Sequence, residues 1–521
     1  MAQSKAKPLS FSTTIRNPER IPNFLNCILP HENEILTSAV IHDVIKNVIR
    51  AKEYKPQYIG KTKRLNDIYI APDYYFSDGD LELIIENAKQ EHKEAGFAYG
   101  WDSRFDTWYK MIKEFGFIKY AMGEPIIVTQ TGHMLVDAYR EEPRNNKKIQ
   151  TVFLNALMKY QTNNPLRKNS NENVPLPLLL KVIKYLHDDP EENDAGVARH
   201  ELPILICWRN NDAYAAYSYI KKIRSEVGFS CSDEYIYDKC LEILETDNKT
   251  YIKMEKICHE SVDEYIRKMR MSGLLSLRGN GRFLDINSFE KEAAEYVINT
   301  YNTYSKYSTE NEYIDYMGSI DSFILQIEEP KETVTYDNVR KNKLYSYAAE
   351  QSPDFVINEL KAVCSKKESK DDMLRFIAAP IRLEFLTSVA LVQNFKGLDV
   401  NPNYAVDDEG LPTFTASGGV ADIECFDTDY DSYFEVTLMC GRQDQVNNEI
   451  IPISRHLREI KANRRTESFS VFVAPTIHPD TLEAAEWQNQ KHNIDIIPLD
   501  ITEFINVIST SNRASELLKA N

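Results

Sequence analysis

A chain of 521 residues is longer than one hydrophobic core usually organises, so several domains are expected. With 42% apolar and 27% charged residues it reads as a folded globular protein, and no stretch reaches the ~18 uninterrupted apolar residues that a membrane helix needs. A net charge of −17 counts against nucleic-acid binding by bulk charge, which relies on Lys and Arg neutralising phosphates, although a folded surface can segregate its charges.

The eight cysteines (Cys27, Cys207, Cys231, Cys240, Cys258, Cys364, Cys425, Cys440) are scattered and form no CxxC pair. Neither a disulfide framework nor a zinc site is expected, and a reducing cytoplasm fits best. The opening, MAQSKAKPLSFSTT, lacks the apolar core of a secretory signal. From Phe11 to Ile21 the chain reads as an extended segment turning into a helix, with Asn17 as N-cap and Pro18 at the first helical position.

Arg104–Phe115 has helical spacing and is closed by Gly116. Phe117–Tyr120 and Ile126–Thr129 read as short strands around the turn Met122-Gly123-Glu124, and a helix starts at Thr131. Helix, two-stranded wing, helix is the pattern of a winged-helix module. The region 151–300 repeats it. Leu176–His187 and Glu201–Ile223 are expected helices around the acidic loop Asp188–Asp194. Then come a helix over Lys256–Ser272, a strand over Leu274–Arg278, the tight turn Gly279-Asn280-Gly281, a returning strand over Arg282–Ile286 and a helix from Ser288. Arg267, Lys268, Arg270, Arg278 and Arg282 cluster on this unit. A basic cluster is often only a solvated face, but two wing-like units in one chain point to DNA docking. Residues 301–372 read as a polar helical linker ending in the charge run Lys366–Asp372.

After 372 the rhythm becomes α/β: a helix over Met373–Gln393, strands at Asp422–Phe426 and Ser432–Met439, a helix over Glu449–Asn463, a strand over Ser468–Ala474, a helix over Pro479–His492, a strand over Ile494–Pro498 and a helix over Ile501–Ile508. That order is the skeleton of a PD-(D/E)xK nuclease core. The expected architecture is thus multidomain α+β: winged-helix-like DNA-recognition domains over 1–150 and 151–300, a linker over 301–372, and an α/β nuclease domain over 373–521.

Phosphodiester hydrolysis must stabilise charge on phosphorus and activate a water, and a divalent cation held by carboxylates does both. Asp422 and Glu435 can converge across a hairpin whose turn is Asp427–Asp431. Glu384, embedded among Ile381, Leu383, Phe385 and Leu386, is an acid whose burial is costly unless it is paired or on metal. Glu449 and His456 lie seven apart on one helical face, where a histidine can position water or move a proton. The same helix carries Arg455, Arg458, Lys461, Arg464 and Arg465, a natural phosphate-tracking surface.

Several of these segments resemble the AlwI-type restriction endonucleases: Ser12–Ile21, Phe115-Gly-Phe-Ile118, Thr129-Gln-Thr-Gly132, Arg382-Leu-Glu384-Phe-Leu, Gly418-Gly-Val-Ala-Asp422-Ile-Glu, Phe434-Glu435-Val-Thr and Pro452-Ile-Ser-Arg455-His456. Their order and spacing match over most of the chain. The resemblance implies a bacterial, cytoplasmic restriction–modification enzyme of type IIS, binding double-stranded DNA at a short asymmetric site and cutting a few base pairs away with Mg²⁺. It implies Glu384, Asp422 and Glu435 as acidic active-site residues with Glu449 and His456 as further members. On that reading Asp422 and Glu435 ligate Mg²⁺, Glu384 holds a water on the metal, and His456 with Glu449 orients or deprotonates the nucleophile. Arg16 and Arg20 join Arg267, Lys268, Arg270, Arg278, Arg282, Arg455 and Arg458 as candidate DNA contacts. A cognate methyltransferase is implied, and a homodimer or a small nuclease subunit for the second strand. One departure stands out: the general motif has Lys where this chain has Thr437. A DNA-binding regulator with an inert nuclease-like domain would leave the grouped acids unexplained, and a helical protein-binding scaffold, which the −17 charge favours, predicts no salt-sensitive DNA affinity.

Overall fold

The computed structural model describes residues 7–11, 15, 17–70, 74–141, 144–168, 171–192, 196–229, 231–250, 252–326, 334–416, 419–463 and 467–519. Ser12–Thr14, Arg16, Gly418, Arg464 and Arg465 lie outside them. The chain divides into two compact units, Met1–Tyr58 with Asp78–Pro330 and Ile59–Ser77 with Lys331–Asn521. Both mix helices with short sheets, an α+β architecture. Among the described residues no helix is long and apolar enough to cross a membrane, and all eight cysteines are free.

In the first unit, α1 (Trp101–Glu114) buries Phe105, Trp108, Tyr109 and Ile112, residues spaced to fall on one helical face. Its rings pack closely; Phe105 stacks on Tyr109 at 4.7 Å between centroids. Gly116 ends the helix at φ +76°, and a Cβ there would lie 2.4 Å from the Cβ of Met317. The strands β1 (Ile118–Lys119) and β2 (Ile127–Val128) pair antiparallel and lead into α2 (Gln130–Arg140). The N-cap of α2 is Thr129, whose hydroxyl accepts the N–H of Gly132, so the helix begins one residue before the expected Thr131.

The second helix–hairpin–helix follows the same logic. A π-helical turn (Lys256–Glu260) runs into α3 (Ser261–Arg270), and β4 (Leu275–Arg278) pairs with β5 (Phe283–Ile286) ahead of α4 (Lys291–Thr300). Gly279, Asn280 and Gly281 all have positive φ, as the turn sequence requires. A strand absent from the sequence reading, β3 (Val197–Ala198), adds to β5 and makes a three-stranded sheet. Two residues carry too little periodicity to be seen. The single helix expected over Glu201–Ile223 is two, Leu202–Cys207 and Ala213–Val227, because Asp212 caps the second by accepting the N–H of Ala215.

In the second unit, the helix expected from Met373 begins at Ala379. Ile377 is extended and Pro380 sits in the first turn, so α5 is Ala379–Asn394. A five-stranded mixed sheet follows, built from β6 (Asp399–Pro402), β7 (Ile423–Phe426), β8 (Tyr430–Val436), β9 (Glu467–Ala474) and β10 (Ile496–Asp500) in the order β10-β9-β8-β7-β6. β8, β9 and β10 run parallel; β7 is antiparallel to β8 and to β6. The sequence reading missed β6, whose Asn and Pro residues lack strand character. Asp431, expected in the hairpin turn, lies inside β8.

On one sheet face Tyr433, Phe472, Ala474 and Ile496 pack under α6 (Ile451–Asn463) and α7 (Pro479–His492) through Ile453, Leu457 and Ala485. On the other, Phe434 meets Phe504 of α8 (Ile501–Thr510) at 6.4 Å. Residues 301–372, expected as one helical linker, divide between the units: Glu310–Gly318 lies in the first, Val334–Glu350 and Pro353–Cys364 in the second.

The left-handed backbone at Gly116 and its approach to Met317 set a sharp expectation. Gly116→Val should destabilise the protein by at least about 2 kcal/mol. Thermal unfolding of wild type and variant reads this directly, and an unchanged melting temperature would contradict the packing described.

Candidate active site

Asp422 immediately precedes β7. The register pairs Phe434 with Ile423, and carrying it one step on sets Asp422 opposite Glu435. The backbone ties the two strands together here: the N–H of Val436 donates to Asp422 Oδ2 at 2.8 Å. Asn403, just past β6, holds the other side. Its N–H donates to the Asp422 carbonyl at 2.8 Å, and its Nδ2 donates to the Ala421 carbonyl at 2.8 Å. The sequence reading had no reason to single out Asn403, whose role depends on the unseen strand β6.

Glu384 projects from α5 and is 3% exposed. Its Oε2 accepts the N–H of Ala416 at 3.2 Å. Burial, and then the Asp422 charge, push its carboxyl well above the usual range. Burial lifts Asp422 to about 7 against the opposing Val436 N–H. Glu435 rises through burial, then through the charges of Asp422 and Glu449, with a smaller contribution from Glu384. Glu449, in the π-helical turn Asp444–Ile450 ahead of α6, rises to about 8 through burial and the Asp422 charge. The four acids therefore sense one another at the end of one hairpin. Carboxylates drawn together in a largely desolvated site must take up protons or a cation to be tolerated; Glu384 is buried and the other three are half-buried. Among the described residues no group of three or more Asp, Glu, His or Cys side chains stands ready-made as a metal cage. The donors are nonetheless all hard oxygens, and Mg²⁺ needs only one or two protein carboxylates beside waters and phosphate oxygens.

Thr437 occupies the place of the usual lysine. Its N–H donates to the Val473 carbonyl at 3.0 Å, its hydroxyl accepts the N–H of Met439 at 3.2 Å, and it favours the charged form of Glu449. His456, on α6, lines a cavity of about 210 Å³ together with Glu435, Glu424 and Tyr433. Its Nδ1 is buried and has no hydrogen-bond partner among the described residues, while Nε2 lies 3.4 Å from the Arg455 guanidinium. Burial and Arg455 hold its pKa below the ordinary value, so the ring is neutral and can accept a proton near pH 7.

The model of the AlwI restriction endonuclease family matches residues 113–344 and 332–507, together well over half of the chain. The chain belongs to this family. It is thus a type II restriction endonuclease, a DNA-cleaving enzyme. Among solved structures, the small subunit of the heterodimeric restriction endonuclease R.BspD6I is similar over 30% of this chain and 76% of its own, with 23% identity and a TM-score of 0.25. Restriction endonuclease FokI aligns over 99% of this chain and 96% of its own at 11% identity, with a TM-score of 0.24. FokI bound to DNA aligns over 99% and 98% at 12% identity, with a TM-score of 0.27. No curated protein sequence matches.

The basic residues of this AlwI-family enzyme separate by environment. Lys268 corrects the expectation of a surface cluster: it is fully buried and its ammonium lies 2.5 Å from Glu264 one helical turn away, so it cannot reach a phosphate. Arg278 is spent within the hairpin, its Nε donating to Asp285 at 2.6 Å and a terminal nitrogen to the Ile286 carbonyl at 3.2 Å. Arg20 pairs with Glu53 at 2.7 Å and Arg267 reaches Asn17 at 3.3 Å. Arg270 is partly buried. Arg282, Arg455 and Arg458 are exposed, with Arg458 Nε donating to the Ser454 carbonyl at 3.1 Å. Arg16 lies outside the described residues.

Two neighbouring substitutions should therefore behave differently. Lys268→Met leaves Glu264 buried without its cation and should cost about 3 kcal/mol of stability. Arg282→Ala should leave stability unchanged, weaken DNA binding and lower the salt dependence of affinity by about one charge. Unfolding curves and salt-titrated DNA binding on both variants check this; equal effects on both readouts would refute the separation.

Proposed function

We propose that this enzyme is a Mg²⁺-dependent type IIS endonuclease. The two helix–hairpin–helix units act as winged-helix modules that read a short asymmetric duplex site, and the second unit, a PD-(D/E)xK fold, hydrolyses phosphodiester bonds outside it. The observation that carries this reading is the convergence of Glu384, Asp422, Glu435 and Glu449 at one end of the sheet hairpin. Asp422 and Glu435 would hold Mg²⁺, with Glu384 orienting a water beside them. When bound, the cation supplies positive charge to the phosphate undergoing attack and makes water a stronger acid. Neutral His456 would accept a proton from the attacking water at Nε2, the ring nitrogen that faces the Arg455 guanidinium at 3.4 Å and so carries the lone pair, and Glu449 would help to orient that water. Thr437, in place of lysine, would favour the charged form of Glu449 rather than supply a charge of its own.

One such site cuts one strand per visit. A homodimer, or a small nuclease subunit, would supply the second cut. A cognate methyltransferase would protect host DNA, which places the pair in the bacterial cytoplasm. Arg282, Arg455 and Arg458 are the best-exposed candidates for phosphate contact.

Asp422→Ala and Glu435→Ala should each abolish cleavage while DNA affinity in EDTA stays within a few-fold of wild type. Cleavage at the wild-type rate by either variant would sink the assignment. His456→Gln, which keeps the volume but loses the basicity, should slow single-turnover cleavage roughly 10²- to 10⁴-fold. A rate within threefold of wild type would remove His456 from proton transfer.

A further inference from the structure

Gln445 carries no charge and was not singled out by its sequence, yet it is fully buried. Its Nε2 donates to the carbonyls of Met439 (3.1 Å) and Thr476 (2.7 Å). Its Oε1 accepts the backbone N–H of His478 (2.9 Å) and the hydroxyl of Thr481 (2.9 Å). Carbonyls only accept and a backbone N–H only donates, so these partners leave the amide one orientation. A single side chain thereby fastens the segment leaving β8, the segment leaving β9 and the start of α7. Burying an amide in this way is unfavourable unless every donor and acceptor is satisfied, and here all of them are.

The position of Gln445 connects that clamp to the site. It lies in the π-helical turn Asp444–Ile450, four residues ahead of Glu449 and close to one full turn from it. π-helical turns are uncommon and concentrate at functional sites. The N–H of Met439 donates to the Thr437 hydroxyl at 3.2 Å, and Thr437 is the side chain that favours the charged form of the Glu449 carboxylate. Gln445 therefore grips two neighbouring segments: the helical turn that carries Glu449, and, through Met439, the loop whose first residue is Thr437.

We propose that Gln445 is a positioning residue that holds Glu449 near Asp422 and Glu435, acting through the loop that begins at Thr437. This rests on the nuclease reading above. A Gln445→Met variant keeps the volume and loses the hydrogen bonds; Gln445→Glu keeps the shape and the acceptor oxygens. Four readouts are needed on each: thermal unfolding, DNA affinity in EDTA, Mn²⁺ binding by calorimetry without DNA, and kcat and KM on a plasmid substrate. The folded variants are expected to bind DNA as wild type does and to keep KM. Mn²⁺ affinity and kcat should fall roughly 10- to 100-fold, the range for residues that orient a metal site from behind its ligands.

Thr437→Val completes the test. If Gln445 acts through Thr437, the double variant should lose little more than the worse single variant, whereas additive losses would overturn the proposed route. A folded Gln445→Met or Gln445→Glu enzyme with wild-type Mn²⁺ affinity and kcat overturns the proposal while leaving the nuclease reading intact. A wild-type protein that neither cleaves DNA nor binds Mn²⁺ more tightly than Asp422→Ala overturns both.

Discussion

The hydrogen bond from the Val436 N–H to the Asp422 carboxylate makes the candidate chemistry a consequence of strand register. Side chains alternate along a strand, so a slip of one residue between β7 and β8 would turn Glu435 to the opposite face and separate it from Asp422. The fold guards that register on both sides. β8 is sandwiched between antiparallel β7 and parallel β9, whose pairing runs without interruption from Tyr430–Glu467 to Val436–Val473. Asn403 ties down Ala421 and Asp422 from β6. With the hairpin fixed, α5 brings Glu384 and the turn before α6 brings Glu449, each from a different element, to a point that no single local sequence defines.

Placing four acids together is destabilising for the protein alone. Burial is the largest cause of the raised pKa of every one of them, and their mutual charge is the next cause for three. Loss of solvation and mutual repulsion are what a bound divalent cation would relieve, so strain in the free protein and affinity for the cation share one origin. An overall charge of −17 fits this economy, since part of the acidity belongs to groups that would be neutralised in the working complex. The converse holds for the bases. Lys268 and Arg278, which look like DNA contacts in the linear sequence, neutralise Glu264 and Asp285 inside the first unit.

How much could be read beforehand follows from the range of the interactions involved. Helices with strong periodicity and explicit ends, such as Trp101–Glu114 before Gly116 and Pro479–His492 after its His478 cap, were legible because their determinants are local. The core strands Ile423–Phe426, Tyr430–Val436 and Glu467–Ala474 were legible from β-branched and aromatic content. Strands Val197–Ala198 and Asp399–Pro402 were not, because they are fixed by their partners rather than by their own residues. The five proposed active-site side chains were nameable as types at a spacing, and by resemblance. Asn403 and Gln445 were not, since an uncharged amide shows its importance only through the carbonyls it meets. Nor could sequence separate Lys268 from Arg282, because exposure is a tertiary property.

Incubation of the purified protein with methylation-free plasmid, in Mg²⁺ and in EDTA, with the ends mapped, tests the central claim most directly. The account predicts discrete Mg²⁺-dependent breaks at a fixed distance to one side of a recurring sequence, and none in EDTA. Cleavage that persists in EDTA, or breaks scattered without relation to sequence, would contradict it.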